Sequence, residues 1–115
     1  MSLHKYVFTV IAGPDIGRTF ELEVGRTLLG RLEAQPDDSD DINRWTFLDK
    51  TVSRVHAELV LEDPGVPVLN HLSNTNETFV NKRRITSENL QDGQVFQMGQ
   101  TAVLMEVVQR AARKN

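Results

Sequence analysis

Apolar and polar residues alternate in short runs along most of this chain, and turn-forming residues separate the runs. Lys5 to Ile11 is rich in β-branched and aromatic residues and ends at Gly13-Pro14-Asp15-Ile16-Gly17. Phe20, Leu22 and Val24 alternate with Thr19, Glu21 and Glu23, a period of two that predicts a strand with one solvated face. Thr27-Leu28-Leu29 reads as a short strand that delivers Gly30-Arg31 at its end. His56 to Leu61 alternates again, with Ala57, Leu59 and Leu61 on one face, and Asp63-Pro64-Gly65 turns the chain into Val66 to Leu72. Thr78-Phe79-Val80, Val95 to Met98 after Asp92-Gly93, and Thr101 to Val108 after Gly99-Gln100 complete the set. Many short strands with turns between them predict an all-β domain, a β-sandwich.

Two segments break the pattern. Leu32 to Lys50 holds Glu33, Asp37, Asp38, Asp40 and Asp41 around Pro36 and Ser39, and a charge cluster of this kind reads as a solvated loop. Those carboxylates lack the spaced acidic pattern and the glycine of a calcium loop, so no metal is assigned. Trp45 and Phe47 anchor the far end of the segment to the core in this reading. At the C-terminus, Val108 to Asn115 reads as a helical turn or two, or as a frayed exit. The domain is therefore set at residues 1–108, with a basic tail or linker at 109–115.

Composition narrows the function. At 115 residues the chain is one domain, and with 39% hydrophobic and 25% charged residues it has the balance of a soluble globular protein. A net charge of −3 argues against bulk attraction to nucleic acid or anionic membrane, so any phosphate recognition must be local. The chain has no cysteine, which excludes disulfides, thiolate zinc sites and cysteine nucleophiles. No apolar run approaches the ~18 residues of a membrane span, and Met1-Ser2-Leu3-His4 lacks the layout of a secretory signal. The expectation is a cytoplasmic module of a longer regulatory protein.

Candidate chemistry sits in two runs, Ser53-Arg54-Val55-His56-Ala57 and Ser73-Asn74-Thr75-Asn76-Glu77-Thr78-Phe79-Val80-Asn81, with Gly30-Arg31 upstream. Hydroxyls, amides and guanidinium groups cluster there without a metal-ligand set or a strong nucleophile. A guanidinium fork with hydroxyl and amide donors suits a phosphate, and a phosphoryl group of roughly −1.5 to −2 charge requires several donors. Ser53 with His56 does not make a hydrolase, because the chain has no Gly-x-Ser-x-Gly nucleophile elbow. No enzymatic activity and no cofactor are assigned.

The ordered set of Gly-Arg, Ser-Arg-x-His-Ala and Ser-x-x-Asn-x-Thr-x-Val-Asn resembles the forkhead-associated (FHA) domain family. Leu90-Gln91-Asp92-Gly93-Gln94-Val95-Phe96-Gln97-Met98-Gly99 resembles that family's late hairpin. The resemblance implies two twisted, mainly antiparallel sheets with binding loops at one end, and recognition of phosphothreonine segments of partner proteins. It implies that Arg31, Ser53, Arg54 and Thr75 hold phosphate and that Asn76 holds the ligand's main chain, a task suited to an amide that both donates and accepts. Gly30, His56 and Asn81 are implied to support the loops.

The sequence also departs from the family pattern. Glu77 replaces the usual glycine, so strain or a different turn is expected at 77. Its charge beside an anion site is expected to cost on the order of 1 kcal/mol. Lys82 follows Asn81 where glycine is common, and Lys82-Arg83-Arg84 reads as a solvated hairpin tip. His71 stands where aspartate is common, and the stretch between Arg31 and Ser53 is long. The alternative reading keeps the fold, drops phosphate recognition and assigns a phosphate-independent scaffold or self-association.

Overall fold

The computed structural model describes residues 4–32 and 43–109. Within them lie eleven strands and no helix. Strands β1 (His4–Ala12), β2 (Thr19–Glu21), β7 (Thr78–Val80), β8 (Arg83–Arg84), β10 (Val95–Met98) and β11 (Thr101–Gln109) form one sheet, in the order β2-β1-β11-β10-β7-β8. Strands β3 (Gly25–Arg31), β4 (Asn43–Phe47), β5 (Ala57–Leu61), β6 (Val68–His71) and β9 (Ser87–Asn89) form the other, in the order β4-β3-β5-β6-β9. All pairings are antiparallel except β3 with β4. The expected sandwich of two mainly antiparallel sheets is the fold.

Period-two patterning builds the core. Tyr6, Phe8 and Val10 of β1 point inward, as do Ala57, Leu59 and Leu61 of β5 and Val103 and Met105 of β11. Aromatic rings join the sheets: Phe8 meets Trp45 edge-on at 5.1 Å, and Phe20 stacks on Trp45 at 4.6 Å. Trp45 and Phe47 are buried, so they anchor the core as expected.

Three readings need correction. Leu32 to Lys50 is not loop throughout, because Asn43–Phe47 is a strand running parallel to β3, with Leu29 opposite Trp45 and Arg31 opposite Phe47. Strand pairing there is supported from outside the sheet. Asp15, buried in the first turn, accepts a hydrogen bond from the Leu48 amide at 2.7 Å, and Arg18 donates to the Thr46 carbonyl at 2.8 Å. The acidic residues from Glu33 to Asp41 lie outside the described residues.

The Phe20-Leu22-Val24 alternation does not make one strand. The strand register ends at Glu21 with one last bond from the Leu22 amide to the Tyr6 carbonyl at 2.9 Å, and Leu22 is buried while Val24 is exposed. Here the chain leaves one sheet and enters the other, so the inward direction changes. Finally, Val108 and Gln109 continue β11 rather than start a helix; the rest of the tail lies outside the described residues. Strands β8 and β9 had no apolar signal, being Arg-Arg and Ser-Glu-Asn.

Candidate functional site

Three segments converge at one end of the sandwich: the end of β3, the β4–β5 loop and the β6–β7 loop. The first approach is backbone against backbone. The Arg31 amide donates to the Ser53 carbonyl at 3.0 Å and the His56 amide to the Leu29 carbonyl at 2.9 Å. A Cβ at position 30 would lie 1.9 Å from the Arg54 carbonyl oxygen. Gly30 is thus required because only a residue without a side chain lets the β4–β5 loop lie this close.

Asp49 fixes the start of that loop. Its buried carboxylate accepts from the Thr51 amide (2.8 Å) and hydroxyl (2.6 Å), and from the Gln100 amide (3.0 Å) and Thr101 hydroxyl (2.7 Å) of the β10–β11 turn. Burial acts to raise its pKa, but these hydrogen bonds outweigh it and hold the carboxyl below its ordinary range. Gly99 completes the junction: its φ is 57°, and a Cβ there would meet Thr51 Oγ1 at 2.2 Å.

His56 ties all three segments together. It is fully buried. Its Nδ1 accepts the Ser53 amide at 3.0 Å, which leaves the hydrogen on Nε2, donated to the Glu77 carbonyl at 2.9 Å. Its carbonyl accepts the amides of Leu72 and Ser73 at 3.0 and 3.1 Å. Burial pushes its pKa down, and the ring is neutral in this arrangement. Both ring nitrogens are engaged with backbone, so neither is a base for the Ser53 hydroxyl. His71 packs edge-on against His56 and shares a 2.7 Å hydrogen bond with the buried Thr78 hydroxyl.

On this frame sits a hydroxyl cluster. Ser53 Oγ lies 2.6 Å from Ser73 Oγ and 3.3 Å from Thr75 Oγ1, and it accepts from Asn76 Nδ2 at 2.9 Å. Ser73 Oγ also accepts the amides of Thr75 and Asn76, each at 3.1 Å. The cluster lines an open concavity of about 520 Å³ together with Arg31, Arg54, Val55 and Leu72. Arg31 donates through Nη1 to the Lys50 carbonyl at 3.3 Å, a long hydrogen bond. The arrangement presents two guanidinium groups, hydroxyls and a side-chain amide to solvent. It suits an oxyanion attached to an extended chain. Among the described residues no group of three or more His, Asp or Glu side chains could hold a metal ion.

The structure brings together Arg31, Ser53, Arg54, Thr75 and Asn76 in one concavity, over Gly30 and His56. It does not bring Asn81 to them. Asn81 is at the tip of the β7–β8 hairpin, with φ 49°, its amide donating to the Val95 carbonyl at 2.9 Å. It supports β10 rather than the loops around Ser53. At Glu77 the second of the two expected outcomes holds, a different turn: its φ is not in the positive range, so no strain arises from the missing glycine, and its carboxylate lies 3.8 Å from Arg84. Sequence reasoning missed Asp49 and Ser73. Asp49-Lys50-Thr51 carries the local signal of an aspartate bonding the backbone two residues on; Ser73 offers the same signal toward Thr75, but its bond to Ser53 is visible only in three dimensions.

The model of the FHA domain family matches residues 23–99. No curated protein matches the chain. Among solved structures, the FhaA FHA domain complexed with the intracellular domain of Rv3910 is 27% identical, with a TM-score of 0.71 over 88% of this chain and 99% of that one. The FHA domain of the CT664 protein from Chlamydia trachomatis is 26% identical, with a TM-score of 0.70 over 89% and 96%. A third structure, from work on phosphothreonine-dependent FHA domain interactions, is 26% identical, with a TM-score of 0.71 over 96% and 99%.

Proposed function

The chain belongs to the FHA domain family, and on that premise we propose that it is a recognition module that docks phosphothreonine segments of partner proteins. The observation that carries this reading is the meeting of Ser53, Thr75 and Asn76 within hydrogen-bond reach of one another in the concavity that Arg31 and Arg54 also line. Arg31, Ser53, Arg54 and Thr75 hold the phosphate, and Asn76 uses its remaining amide valences on the peptide main chain. A relative of similar length and fold comes from work on phosphothreonine-dependent interactions, and another was solved with a partner's intracellular domain. Both support a peptide partner.

The mechanism is electrostatic capture followed by backbone reading. No bond is made or broken and no cofactor takes part, so the module acts as an interaction domain and not as an enzyme. Control comes from the kinase and phosphatase that act on the partner, and the proposal therefore includes a cytoplasmic place of work. The phosphate-independent scaffold remains the alternative. It rests on Glu77 and the long acidic stretch; the Glu77 carboxylate faces Arg84 at 3.8 Å rather than lining the concavity, and the acidic stretch lies outside the described residues.

The test is fluorescence anisotropy of phosphothreonine, phosphoserine and unmodified peptide pools titrated with the domain. Saturable binding confined to phosphothreonine is expected, weakened by about 2 kcal/mol or more in Arg31→Ala with folding intact. Equal binding by the variant would remove the assigned site. A folded domain that binds no pool, with a cellular complex indifferent to phosphatase, would favour the scaffold.

A further inference from the structure

Ser73 has no role in the site as assigned above, yet it decides which way the hydroxyl protons point. A hydroxyl has one hydrogen and two lone pairs. The lone pairs of Ser73 Oγ take the amides of Thr75 and Asn76, both at 3.1 Å. Its hydrogen is thus left for its nearest oxygen, Ser53 Oγ at 2.6 Å. Ser53 Oγ then accepts twice, from Ser73 and from Asn76 Nδ2 at 2.9 Å. Among the described residues its own hydrogen has only Thr75 Oγ1 within reach, at a long 3.3 Å.

We propose that Ser73 is a positioning residue that fixes this chain of hydrogen bonds, so that Ser53 meets a ligand only as a donor. The site then favours the fully deprotonated phosphate dianion, because any phosphate oxygen turned to Ser53 must be unprotonated and a monoanion's P–OH finds no lone pair there to receive it. This rests on the phosphopeptide reading given above. Among the described residues, the other charged and titratable groups around the phosphate position are Arg31 at the end of β3, which bonds the Lys50 carbonyl, Arg54 in the β4–β5 loop, and His56 behind Ser53 with His71 and Asp49 near it. Glu77 closes the β6–β7 loop. All of these are shared by wild type and a Ser73 variant, so comparing the two isolates Ser73.

The experiment measures the dissociation constant of a phosphothreonine peptide at pH 5.0 and pH 7.5. With a second phosphate pKa of about 6, a site that favours the dianion loses up to roughly tenfold affinity between the two conditions. Ser73→Ala is expected to weaken binding severalfold at pH 7.5 and to flatten the pH ratio, because Ser53 regains a lone pair. Ser73→Thr is expected to restore both affinity and ratio. Ser73→Cys, which keeps the shape with a weak donor, serves if alanine disturbs folding. Unchanged affinity in the alanine variant, or a loss equal at both pH values, would overturn the proposal and leave Ser73 a turn residue. If the wild type binds no phosphopeptide, the parent reading fails. The hydrogen-bond chain is then judged in the free domain, where a slowly exchanging Ser73 hydroxyl proton close to the Ser53 β-protons is expected and rapid exchange of it would overturn the assignment.

Discussion

The amide of Ser53 donates to Nδ1 of His56 at 3.0 Å, and this bond exists only while the imidazole is neutral. Burial lowers the pKa of His56 from its ordinary 6.5. The folded state therefore resists a proton that the unfolded chain accepts. The stability contributed by the neutral ring is complete above pH 6.5 and is lost as pH falls through the lowered folded value. Thermal melts between pH 7.5 and 5 should show this loss for the wild type. His56→Gln, which can neither bind the proton nor fill the ring's volume, should be less stable at pH 7.5 and flatter below it. A variant with the wild-type slope would place the acid sensitivity elsewhere.

Asp49 joins the β4–β5 loop to the β10–β11 turn through four accepted hydrogen bonds. Asp49→Asn keeps the size but turns an NH₂ group toward two of those donors. A buried hydrogen bond to a charged group contributes about 1.5–3 kcal/mol, so the variant should lose at least about 2 kcal/mol in urea unfolding. Because the folded carboxyl titrates below its ordinary 3.8, the wild-type contribution is complete above that value and is lost as pH falls through the lowered one. Loss of stability without weaker phosphopeptide binding would show that the latch serves folding alone.

The β7–β8 hairpin has two central residues in the left-handed region, Asn81 at φ 49° and Lys82 at φ 69°. This is the backbone of a type I′ turn, which favours Asn-Gly. Asparagine tolerates that region, but lysine carries a steric cost of about 1–2 kcal/mol. Lys82→Gly should raise the urea midpoint, with a net gain of about 0.5–1 kcal/mol after the glycine's greater unfolded-state entropy is counted and with an unchanged slope. A lower midpoint would show that lysine is not strained there.

Strand alternation made the fold legible, because burial on one face writes a period of two into β1, β5 and β11. Strand β4 was hidden for a physical reason: it lies between a dense charge cluster and the β4–β5 loop, and its end is held by Asp15 and Arg18, 33 and 28 residues from their partners in sequence. The chemistry-bearing side chains were legible as types and order. Their geometry was not. Ser73 looked like turn punctuation because its second role needs Ser53, twenty positions upstream. The glycine expected at 77 was inferred from a turn conformation that this chain does not adopt. His71 likewise shows how a departure is absorbed: it holds the Thr78 hydroxyl at 2.7 Å.

Glu77 gives the sharpest test of that last point. Restoring the family's glycine with Glu77→Gly would relieve strain if the backbone were left-handed there, but the φ of Glu77 is not positive. Glycine then brings only added unfolded-state freedom, and Glu77→Gly should destabilise the domain by up to about 1 kcal/mol. The charge is a separate matter. The carboxylate is about half exposed and faces a largely exposed Arg84 at 3.8 Å, a surface pair of small energetic weight. Glu77→Gln should therefore leave stability within about 0.5 kcal/mol of wild type. It should raise phosphopeptide affinity by no more than about threefold at low salt, and that gain should vanish at high ionic strength, where exposed charges are screened. Urea unfolding and anisotropy titrations on the two variants separate backbone from charge. A glycine variant more stable than wild type would mean that position 77 adopts the left-handed turn after all. A tenfold affinity gain for glutamine would mean that the carboxylate faces the phosphate rather than Arg84.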